Sequence, residues 1–431
     1  MSPKIGRPNV LSGVVLLLTL LALATKSTAQ RPAQRSAEVN VYVGIEEGEI
    51  RGRDHRALQA AVDYAAKLGS GTVHIAPGQY QMRNALILRD NVKIMGVPGK
   101  TILVACDGIK TPLVVDGDCN ERQITLENSS AFQVGDGVAI HDDHYRSGFE
   151  VTTATLTGRL DDRTFRISSP LYLDYLVSRK AVACLAFPVV SGTSIKNAAV
   201  EGLTVEGNGS RTEYLDGCRG GGIYLFECEN IAIRNCVVRH YNGDGISFQD
   251  SARVTVEDCL CEENTGLGLH PGSGSQRPVV RRNRSLQNGN DGLFVCWRVQ
   301  HGLFENNEVR GNKGAGVSIG HKDSDNLFRG NQISSNAKAG VLFREEAKAM
   351  GAHRNVFEGN RILDNGPKDG GIGILIHGHH DDLVFRKNTI GTSQPNSTSV
   401  GIRCDKNIIG LQSTENEFVN LKVPIDRSGA R

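Results

Sequence analysis

Two short patterns of apolar and polar residues alternate along the second half of the chain, and both predict strands. One pattern starts with glycine, followed by a branched apolar residue, any residue and a second apolar residue. Its copies are GIYLF at Gly222, GISFQ at Gly245, GLGLH at Gly266, GLFVC at Gly292, GVSIG at Gly316, GVLFR at Gly340, GILIH at Gly373 and GIRCD at Gly401. The other pattern is seen in VTVEDCL and HGLFENNEV. A period of two places the apolar side chains on one face of each strand.

The patterns return about every 24 residues, which indicates a solenoid of stacked coils. Two polar registers run behind the glycines. They are Cys236, Cys259, Asn283, Asn307, Asn331, Asn360, Asn388 and Asn416, and then Asn242, Asn264, Asn288, Asn312, Asn336 and Asn365. Stacked amides can hydrogen bond to one another and to the backbone of adjacent coils. We therefore predict an all-β fold, a parallel β-helix whose stacked coils bury a face that one coil could not bury alone.

The beginning of the chain predicts a helix from His55 to Leu68, capped by Asp54 and ended by Gly69 and Gly71, with the strand GTVHIAPGQY behind it. This opening resembles the pectate-lyase-like superfamily, in which a helix closes the first coil. Residues 200–420 are similar to the right-handed β-helix repeat family, which includes carbohydrate lyases, hydrolases and epimerases. The resemblance implies a right-handed solenoid with an N-terminal capping helix.

We expect five segments along the chain. They are a signal peptide at residues 1–29, an N-terminal linker at 30–48, the capping helix and first coils at 49–108, a β-rich insertion at 109–190, and the parallel β-helix at 191–431. The signal peptide is predicted from Lys4 and Arg7, the apolar run from Val14 to Ala24, and small residues before Gln30. We expect a secreted or periplasmic protein without a membrane span after cleavage; a membrane anchor is the alternative.

Composition narrows the range of partners. A net charge of +2, with 22% charged residues, gives no field that would favour nucleic acid or membrane. An oxidising compartment would permit disulfides among the ten cysteines, and Cys106–Cys119 and Cys218–Cys228 are candidate pairs. Small buried thiols are the favoured interpretation for the other cysteines within the repeats. No CxxC motif or Cys/His spacing is typical of a zinc site.

Side chains that alternate with the buried residues of each copy must face outward. We expect the residue four after each repeat glycine, with the turn behind it, to form one exposed strip. The strip contains Phe226, Gln249, His270, Cys296, Gly320, Arg344, His377 and Asp405, followed by Asp250, Trp297, Arg298, His321, Lys322, Asp323, Glu345, Glu346, His379 and His380. From His270 to His377 it would span roughly 19 Å, which suits a few sugar units. Solvated surface charge is the alternative for any one of these residues.

Our leading hypothesis is a lyase or epimerase acting on a uronate-containing polysaccharide. A base would remove the proton beside the carboxylate, cationic side chains would bind the carboxylate, and an aromatic ring would stack on the sugar. The candidate bases are His270, His321 and Lys322, the candidate clamps are Arg298 and Arg344, and the stacking residue is Trp297. Further substrate contacts are expected from Gln249, Asp250, Tyr224 and His377.

Two other functions remain open. A glycoside hydrolase could use Asp323 with Glu345 or Glu346 as its paired carboxylates. A non-catalytic carbohydrate-binding or surface-structural β-helix is the third hypothesis. No cofactor is certain, but HGHHDD from His377 to Asp382 could bind a divalent cation such as Ca²⁺. Asp142, Asp143 and His144 could also form a metal or catalytic cluster, although a solvated turn is favoured for them.

Two subfamily motifs are absent. The stretch from His270 resembles the mannuronan C5-epimerase region in layout, but His270-Pro271-Gly272-Ser273 replaces the Asp-Pro-His-Asp motif of that family. Asn242-Gly243-Asp244-Gly245 resembles the polygalacturonase group, but Asn264-Thr265-Gly266 stands where its paired aspartates would follow. The catalytic residues of neither family can therefore be assigned to this chain, and Asp244 is interpreted as a turn residue.

Overall fold

The computed structural model describes residues 39–367, 370–395, 399–406 and 408–429. The predicted signal peptide lies outside these residues. Within them, nearly all regular structure is β, and the strands fall into four sheets, numbered here in chain order. Three sheets consist of parallel strands and follow one another around each coil, which is the predicted parallel β-helix. The fourth is antiparallel and forms the predicted insertion.

Neighbouring strands in each sheet come from successive coils. Sheet 1 contains β2 (Ile50–Arg51), β1 (Asn40–Gly44), β3 (Gly71–Ile75), β6 (Val92–Met95), β15 (Ala199–Glu201), β18 (Ala232–Arg234), β21 (Thr255–Glu257), β24 (Val279–Arg281), β27 (Leu303–Glu305), β30 (Leu327–Arg329), β33 (Val356–Glu358), β36 (Val384–Arg386) and β39 (Gln412–Thr414). Sheet 2 contains β4 (Gly78–Met82), β7 (Thr101–Ala105), β16 (Thr204–Glu206), β19 (Val237–Arg239), β22 (Leu260–Glu262), β25 (Arg284–Leu286), β28 (Glu308–Arg310), β31 (Gln332–Ser334), β34 (Arg361–Leu363), β37 (Thr389–Gly391) and β40 (Glu417–Val419).

The remaining two sheets carry the features discussed below. Sheet 3 contains β5 (Leu86–Ile87), β14 (Val190–Thr193), β17 (Ile223–Phe226), β20 (Ile246–Gln249), β23 (Leu269–Gly272), β26 (Leu293–Phe294), β29 (Val317–Ile319), β32 (Val341–Phe343), β35 (Ile372–Ile376), β38 (Val400–Cys404) and β41 (Val423–Asp426). The insertion sheet contains β8 (Lys110–Pro112), β13 (Val182–Cys184), β10 (Gly137–His141), β11 (Thr152–Arg159), β12 (Thr164–Ile167) and β9 (Gln123–Thr125). Short 3₁₀ turns occur at Gly148–Glu150, Val177–Arg179, Gly209–Arg211 and Lys348–Met350.

The predicted capping helix is α1 (His55–Lys67), and the Asp54 carboxylate accepts a hydrogen bond from the Arg56 amide at its start. Leu58, Ala61 and Val62 are buried against the first strands, so the helix covers the end of the solenoid core. The predicted N-terminal linker at residues 30–48 is too long. Residues 40–44 form β1, which pairs with β3, because the exposed edge of the first coil needs a partner strand.

The predicted asparagine registers form two hydrogen-bonded ladders. The Asn307 amide donates to Asn331 Oδ1 at 2.9 Å and to the Val280 carbonyl at 2.9 Å, and its oxygen accepts the Asn283 backbone N–H at 2.9 Å. The members of the ladders are Asn283, Asn307, Asn331, Asn360, Asn388 and Asn416, and Asn264, Asn288, Asn312, Asn336 and Asn365. Asn242 was wrongly placed in the second ladder, since the Tyr241 amide contacts Asn264 instead, at 3.0 Å.

Two further details of the sequence interpretation were wrong. Leu269 pairs with Ile246 and Leu293, so Gly268 and not Gly266 opens the third copy of the repeat. His270 therefore lies at the second position of its strand, not the fourth. All ten cysteines are free, and the candidate disulfides are not formed. The alternating glycines in GLGLH allowed both registers, and only strand pairing distinguishes them.

We expect Asn307→Ala to lower the free energy of unfolding by about 3 kcal/mol, because it leaves the Asn283 N–H and the Val280 carbonyl buried without partners. The measurement is chemical denaturation followed by circular dichroism. Asn290→Ala is the matched control at an exposed asparagine, and it should change stability by less than about 0.5 kcal/mol. Equal effects of the two substitutions would contradict a stabilising role for the ladder.

Candidate functional site

The outer face of sheet 3 carries most of the candidate residues, in two parallel rows. The strand register aligns Tyr224, Ser247, His270, Phe294, Ser318, Leu342 and Leu375 in one row. The second row contains Phe226, Gln249, Gly272, Cys296, Gly320, Arg344 and His377. The residues predicted for the strip thus lie on one face, except that His270 lies in the first row instead of the second.

One end of this face is buried. The segment between β16 and β17, residues 207–222, lies across it and is called the covering segment below. The Gly217 carbonyl accepts hydrogen bonds from Ser247 Oγ at 2.6 Å and from Gln249 Nε2 at 3.1 Å. A Cβ at Gly217 would overlap Asp244 and His270, so only glycine permits this close approach. Gln249 and Tyr224, which we expected to contact substrate, are consequently buried.

The insertion closes the same end. Arg219 of the covering segment donates from Nη2 to the Phe149 carbonyl at 2.7 Å, and its guanidinium lies 3.9 Å from the centre of the Tyr172 ring. Phe226 also lies beside this guanidinium, at 5.9 Å. Aromatic rings from the insertion and from sheet 3 therefore surround one arginine. The open part of the face extends toward the C-terminal coils.

His270 is buried and paired with a carboxylate. Its Nδ1 lies 2.7 Å from Asp244 Oδ2, and Asp244 Oδ1 accepts the Leu267 amide at 2.8 Å. Burial alone would lower the pKa of His270, but hydrogen bonds with Asp244 and Cys296 raise it to about 10. The hydrogen bond with Asp244 therefore favours the protonated, positively charged ring. The prediction of His270 as an exposed base is wrong, and Asp244 is more than a turn residue.

Arg344 lies flat across the strands. Its Nη1 donates to Ser318 Oγ at 3.0 Å and its Nη2 to the Val295 carbonyl at 2.9 Å, while the guanidinium lies 4.4 Å from the centre of the Phe294 ring. Its ion-pair partner is Asp323 at 3.3 Å. Arg344 is thus a fixed positive charge on the face of sheet 3.

Asp323 is not an accessible acid. It is fully buried, and its carboxylate accepts the backbone amides of Val299 at 2.9 Å and Gly320 at 3.0 Å. Burial raises the pKa of Asp323 to about 7 against the opposing effect of Arg344. The prediction of Asp323 as a catalytic carboxylate is wrong, because the side chain holds the turn after β29 and both its oxygens are engaged.

The turns that follow β20, β26 and β29 form a second group at the edge of the face. Trp297 is half exposed, and His321 stacks on it with ring centres 4.4 Å apart. The His321 backbone amide donates to Glu346 Oε1 at 3.0 Å. Trp297 thus keeps an exposed aromatic surface, whereas His321 and Glu346 are engaged with each other.

Cationic and acidic side chains complete this edge. Arg298 is exposed and approaches Asp250 above Gly274. Burial raises the pKa of Asp250 despite the nearby positive charge of Arg298. Lys322 is exposed, and its backbone amide donates to the Met350 carbonyl at 2.7 Å. These residues lie as predicted, at the strand-to-turn corner.

A cleft opens on the face between β32 and β35. Its apolar floor contains Leu342 and Leu375, and charged and polar side chains surround the floor. The lining residues are Lys338, Ala339, Leu342, Arg344, Glu345, Leu375 and His377. The His377 amide donates to the Phe343 carbonyl at 3.1 Å, which keeps His377 beside Arg344. Lys338 was missed because it precedes its repeat glycine by two residues, outside the predicted strip.

The HGHHDD stretch does not assemble a cation site within the described residues. His380 is buried, accepts the Ala352 amide at 2.9 Å and lies 2.8 Å from the Arg344 carbonyl, and burial lowers its pKa to about 4. Asp381 lies near Lys348 and His353, at 3.7 Å and 4.0 Å. The stretch therefore folds into a corner in which its side chains serve separate contacts.

Asp142 and its neighbours also serve the fold. Asp142 is buried, and it accepts the Tyr145 amide at 2.8 Å and Arg179 Nε at 2.7 Å. Asp143 forms ion pairs with Arg146 and Lys180 at the surface. The favoured interpretation as a turn was correct, but the first aspartate of the turn is buried rather than solvated.

Three coil-forming parallel sheets, closed by a helix, define a β-helix protein. The chain belongs to the family described as right-handed beta helix region, whose sequence pattern matches residues 188–346 and 300–429. The solenoid is therefore right-handed, as the repeat resemblance implied.

Solved structures agree with this fold. The A-module of the Azotobacter vinelandii mannuronan C-5 epimerase AlgE4 is similar with a TM-score of 0.59 and 17% identity, over 90% of this chain and 98% of that chain. The A-module of AlgE6 from the same organism gives a TM-score of 0.53 and 16% identity, over 86% of this chain and 95% of that chain.

A curated relative is similar over a short stretch. The Azotobacter vinelandii protein named alginate lyase 7 is 37% identical over 79 residues, which is 16% of this chain and 9% of that protein. Among the residues that the structure describes, no helix combines the length and the apolar character needed to cross a membrane.

We expect His270→Gln to remove a pH-dependent part of the stability. The folded pKa of His270, about 10, lies above the ordinary value of 6.5, so its stabilising contribution is complete below pH 6.5 and is lost as pH rises toward 10. Denaturation midpoints of the two proteins should therefore differ most near pH 6 and converge near pH 10. The control is His144→Gln at an exposed histidine. A pH-independent difference for His270→Gln would contradict the charged pair.

Proposed function

We propose that the protein binds a uronate-containing polysaccharide in the cleft between β32 and β35 and acts on it as a lyase or epimerase. The observation that carries this proposal is the composition of the cleft. It combines two cations, Lys338 and Arg344, with one carboxylate, one histidine and an apolar floor. Chemistry beside a carboxylate needs a proton-transfer group and a charge-neutralising cation in one concave site, and the cleft contains both.

The cations would bind and neutralise the uronate carboxylate. Arg344 is held in place by Ser318, Val295 and Asp323, so its charge needs no rearrangement when substrate binds. Lys338 is exposed and can close on the carboxylate. Neutralising the carboxylate makes the proton on the adjacent carbon, C5, easier to remove, because negative charge moves onto the carboxylate as that proton leaves.

Proton transfer would fall to His377 and Glu345. Histidine and glutamate are the usual side chains for this task, and both line the cleft beside Arg344. In a lyase, one group removes the C5 proton, a double bond forms between C4 and C5, and the bond to the oxygen on C4 breaks as that oxygen is protonated. In an epimerase, a proton returns to C5 from the opposite face.

The two carboxylates required by the hydrolase hypothesis, Asp323 with Glu345 or Glu346, are not both accessible. Asp323 is fully buried with both oxygens engaged, and Glu346 accepts a hydrogen bond from the His321 amide. Only Glu345 of that set is exposed. The relatives named alginate lyase and mannuronan C-5 epimerase agree with the proposal in the class of substrate.

We expect His377→Gln to reduce turnover by about 10²–10⁴-fold, the usual contribution of a general acid or base.

Lys338→Ala should lower kcat/KM by about 10–100-fold through loss of a charged hydrogen bond to the carboxylate. Lys313→Ala is the matched control, because Lys313 is an exposed lysine on the preceding coil. The assay uses acidic polysaccharides and records absorbance of unsaturated uronate, reducing ends, and the ratio of C5 epimers by NMR.

The outcomes separate the hypotheses. Absorbance that rises with reducing ends indicates a lyase, and a changed epimer ratio without cleavage indicates an epimerase. Reducing ends without absorbance would indicate a hydrolase and contradict the proposal. Binding without turnover would favour the non-catalytic β-helix. Loss of turnover in Lys322→Ala and Arg298→Ala, with retention in His377→Gln, would move the site to the corner beside Trp297.

A further inference from the structure

Three side chains with metal-binding atoms meet away from the cleft. His141 Nε2 lies 3.7 Å from Cys184 Sγ and 3.7 Å from Glu213 Oε1. All three ligand atoms lie within 4.8 Å of one another. These residues are far apart in sequence, which is why no short motif indicated them.

The fold holds this cluster in place from two sides. His141 ends β10 and Cys184 ends β13, and these strands are antiparallel neighbours in the insertion sheet. Glu213 comes from the covering segment. His141 and Cys184 are buried, and Glu213 is partly exposed. The cluster therefore lies where the insertion meets the segment that crosses the face of sheet 3.

His141 is buried and turns its Nε2 toward the other two side chains. The side chain of His141 is 10% exposed, and its Nδ1 has no hydrogen-bond partner among the described residues. Its other nitrogen faces a thiol and a carboxylate, which are ligands of the same metal class.

The spacing of the atoms agrees with tetrahedral coordination. Zinc binds histidine nitrogen, cysteine sulfur and carboxylate oxygen at about 2.0–2.3 Å, so neighbouring ligand atoms in a tetrahedral site are about 3.3–3.8 Å apart. The two measured separations of 3.7 Å fall in this range. Hard cations such as Ca²⁺ prefer oxygen ligands and do not suit this set.

We propose that His141, Cys184 and Glu213 bind a zinc ion that fastens the covering segment to the insertion, with a fourth position open to water. Coordination replaces the S–H bond of Cys184 with a sulfur–metal bond and releases the proton to solvent. The site does not depend on the proposed polysaccharide activity. It would stabilise the segment that carries Gly217 against Asp244 and His270.

Lys110 is the competing cation. Its Nζ lies 3.2 Å and 3.3 Å from the two oxygens of Glu213. Lys110 is half exposed, so it can leave Glu213 for solvent when a metal binds. A substitution that removes the Lys110 charge, such as Lys110→Met, should therefore strengthen metal binding rather than abolish it.

The test titrates the reduced, chelator-treated full chain with Zn²⁺ by calorimetry and with Co²⁺ by absorbance. One equivalent should bind, and Co²⁺ should give a thiolate charge-transfer band. Cys184→Ser should weaken Zn²⁺ binding by more than about 100-fold and remove the band, since even outer partners of metal ligands contribute 10–100-fold. Lys110→Met should tighten binding several-fold. Cys119→Ser, at an exposed thiol, is the matched control and should bind as the parent does.

Hydrogen exchange supplies a second measurement. Zn²⁺ should slow amide exchange in residues 209–217 of the parent and of Cys119→Ser, but not of Cys184→Ser. Circular dichroism shows whether each variant is folded. Absence of one-to-one binding by the folded parent, or unchanged affinity in folded Cys184→Ser, would overturn the proposal. Binding that leaves exchange of the covering segment unchanged would overturn its fastening role.

Discussion

Hydrogen bonding between successive coils is the constraint on which the rest of this structure depends. A single coil cannot bury its apolar face, and its turns would leave amide groups without partners. The asparagine ladders satisfy those groups and fix the register of each coil on the next. Asn331 still bonds to Asn360 across 29 residues, where the two preceding steps of this ladder span 24, because the extra residues fit into the corner containing Lys348–Met350. Corners can therefore vary while strands stay aligned.

This constraint explains why the fold could be predicted from the sequence. A repeat that must bond to its neighbours keeps its joint residues, so Asn283 and its equivalents are visible as a period. Where the hydrogen bonding between coils changes, the prediction failed: Tyr241 replaces a ladder asparagine, and the alternating glycines of GLGLH permitted a shift by two residues. The pairing of residues 40–44 with β3 is nonlocal and leaves no periodic signal.

The site could be predicted as far as the alternation of apolar and polar residues along a strand determines which side chains face outward. Arg344 and His377 face outward as expected, and Glu345 is exposed beside them. The same alternation does not indicate whether another segment of the chain covers the outward face of the sheet. The covering segment has no repeat, so neither the burial of His270 nor its contact with Asp244 could be inferred. Asp323 shows the same limit, since a carboxylate that caps a turn and one that faces substrate look alike in sequence.

The irregular parts of the chain therefore determine which part of the regular scaffold is accessible to solvent. Arg219, held between Phe149 and Tyr172, joins the covering segment to the insertion, and Gly217 brings that segment onto Ser247 and Gln249. Together they close the face of sheet 3 over β17 to β23 and leave β32 and β35 accessible. The repeating coils supply aligned rows of side chains, and the insertion decides which members of each row meet solvent. The cleft lined by Arg344 and His377 consequently lies on the part of the face that stays open toward the C-terminal coils.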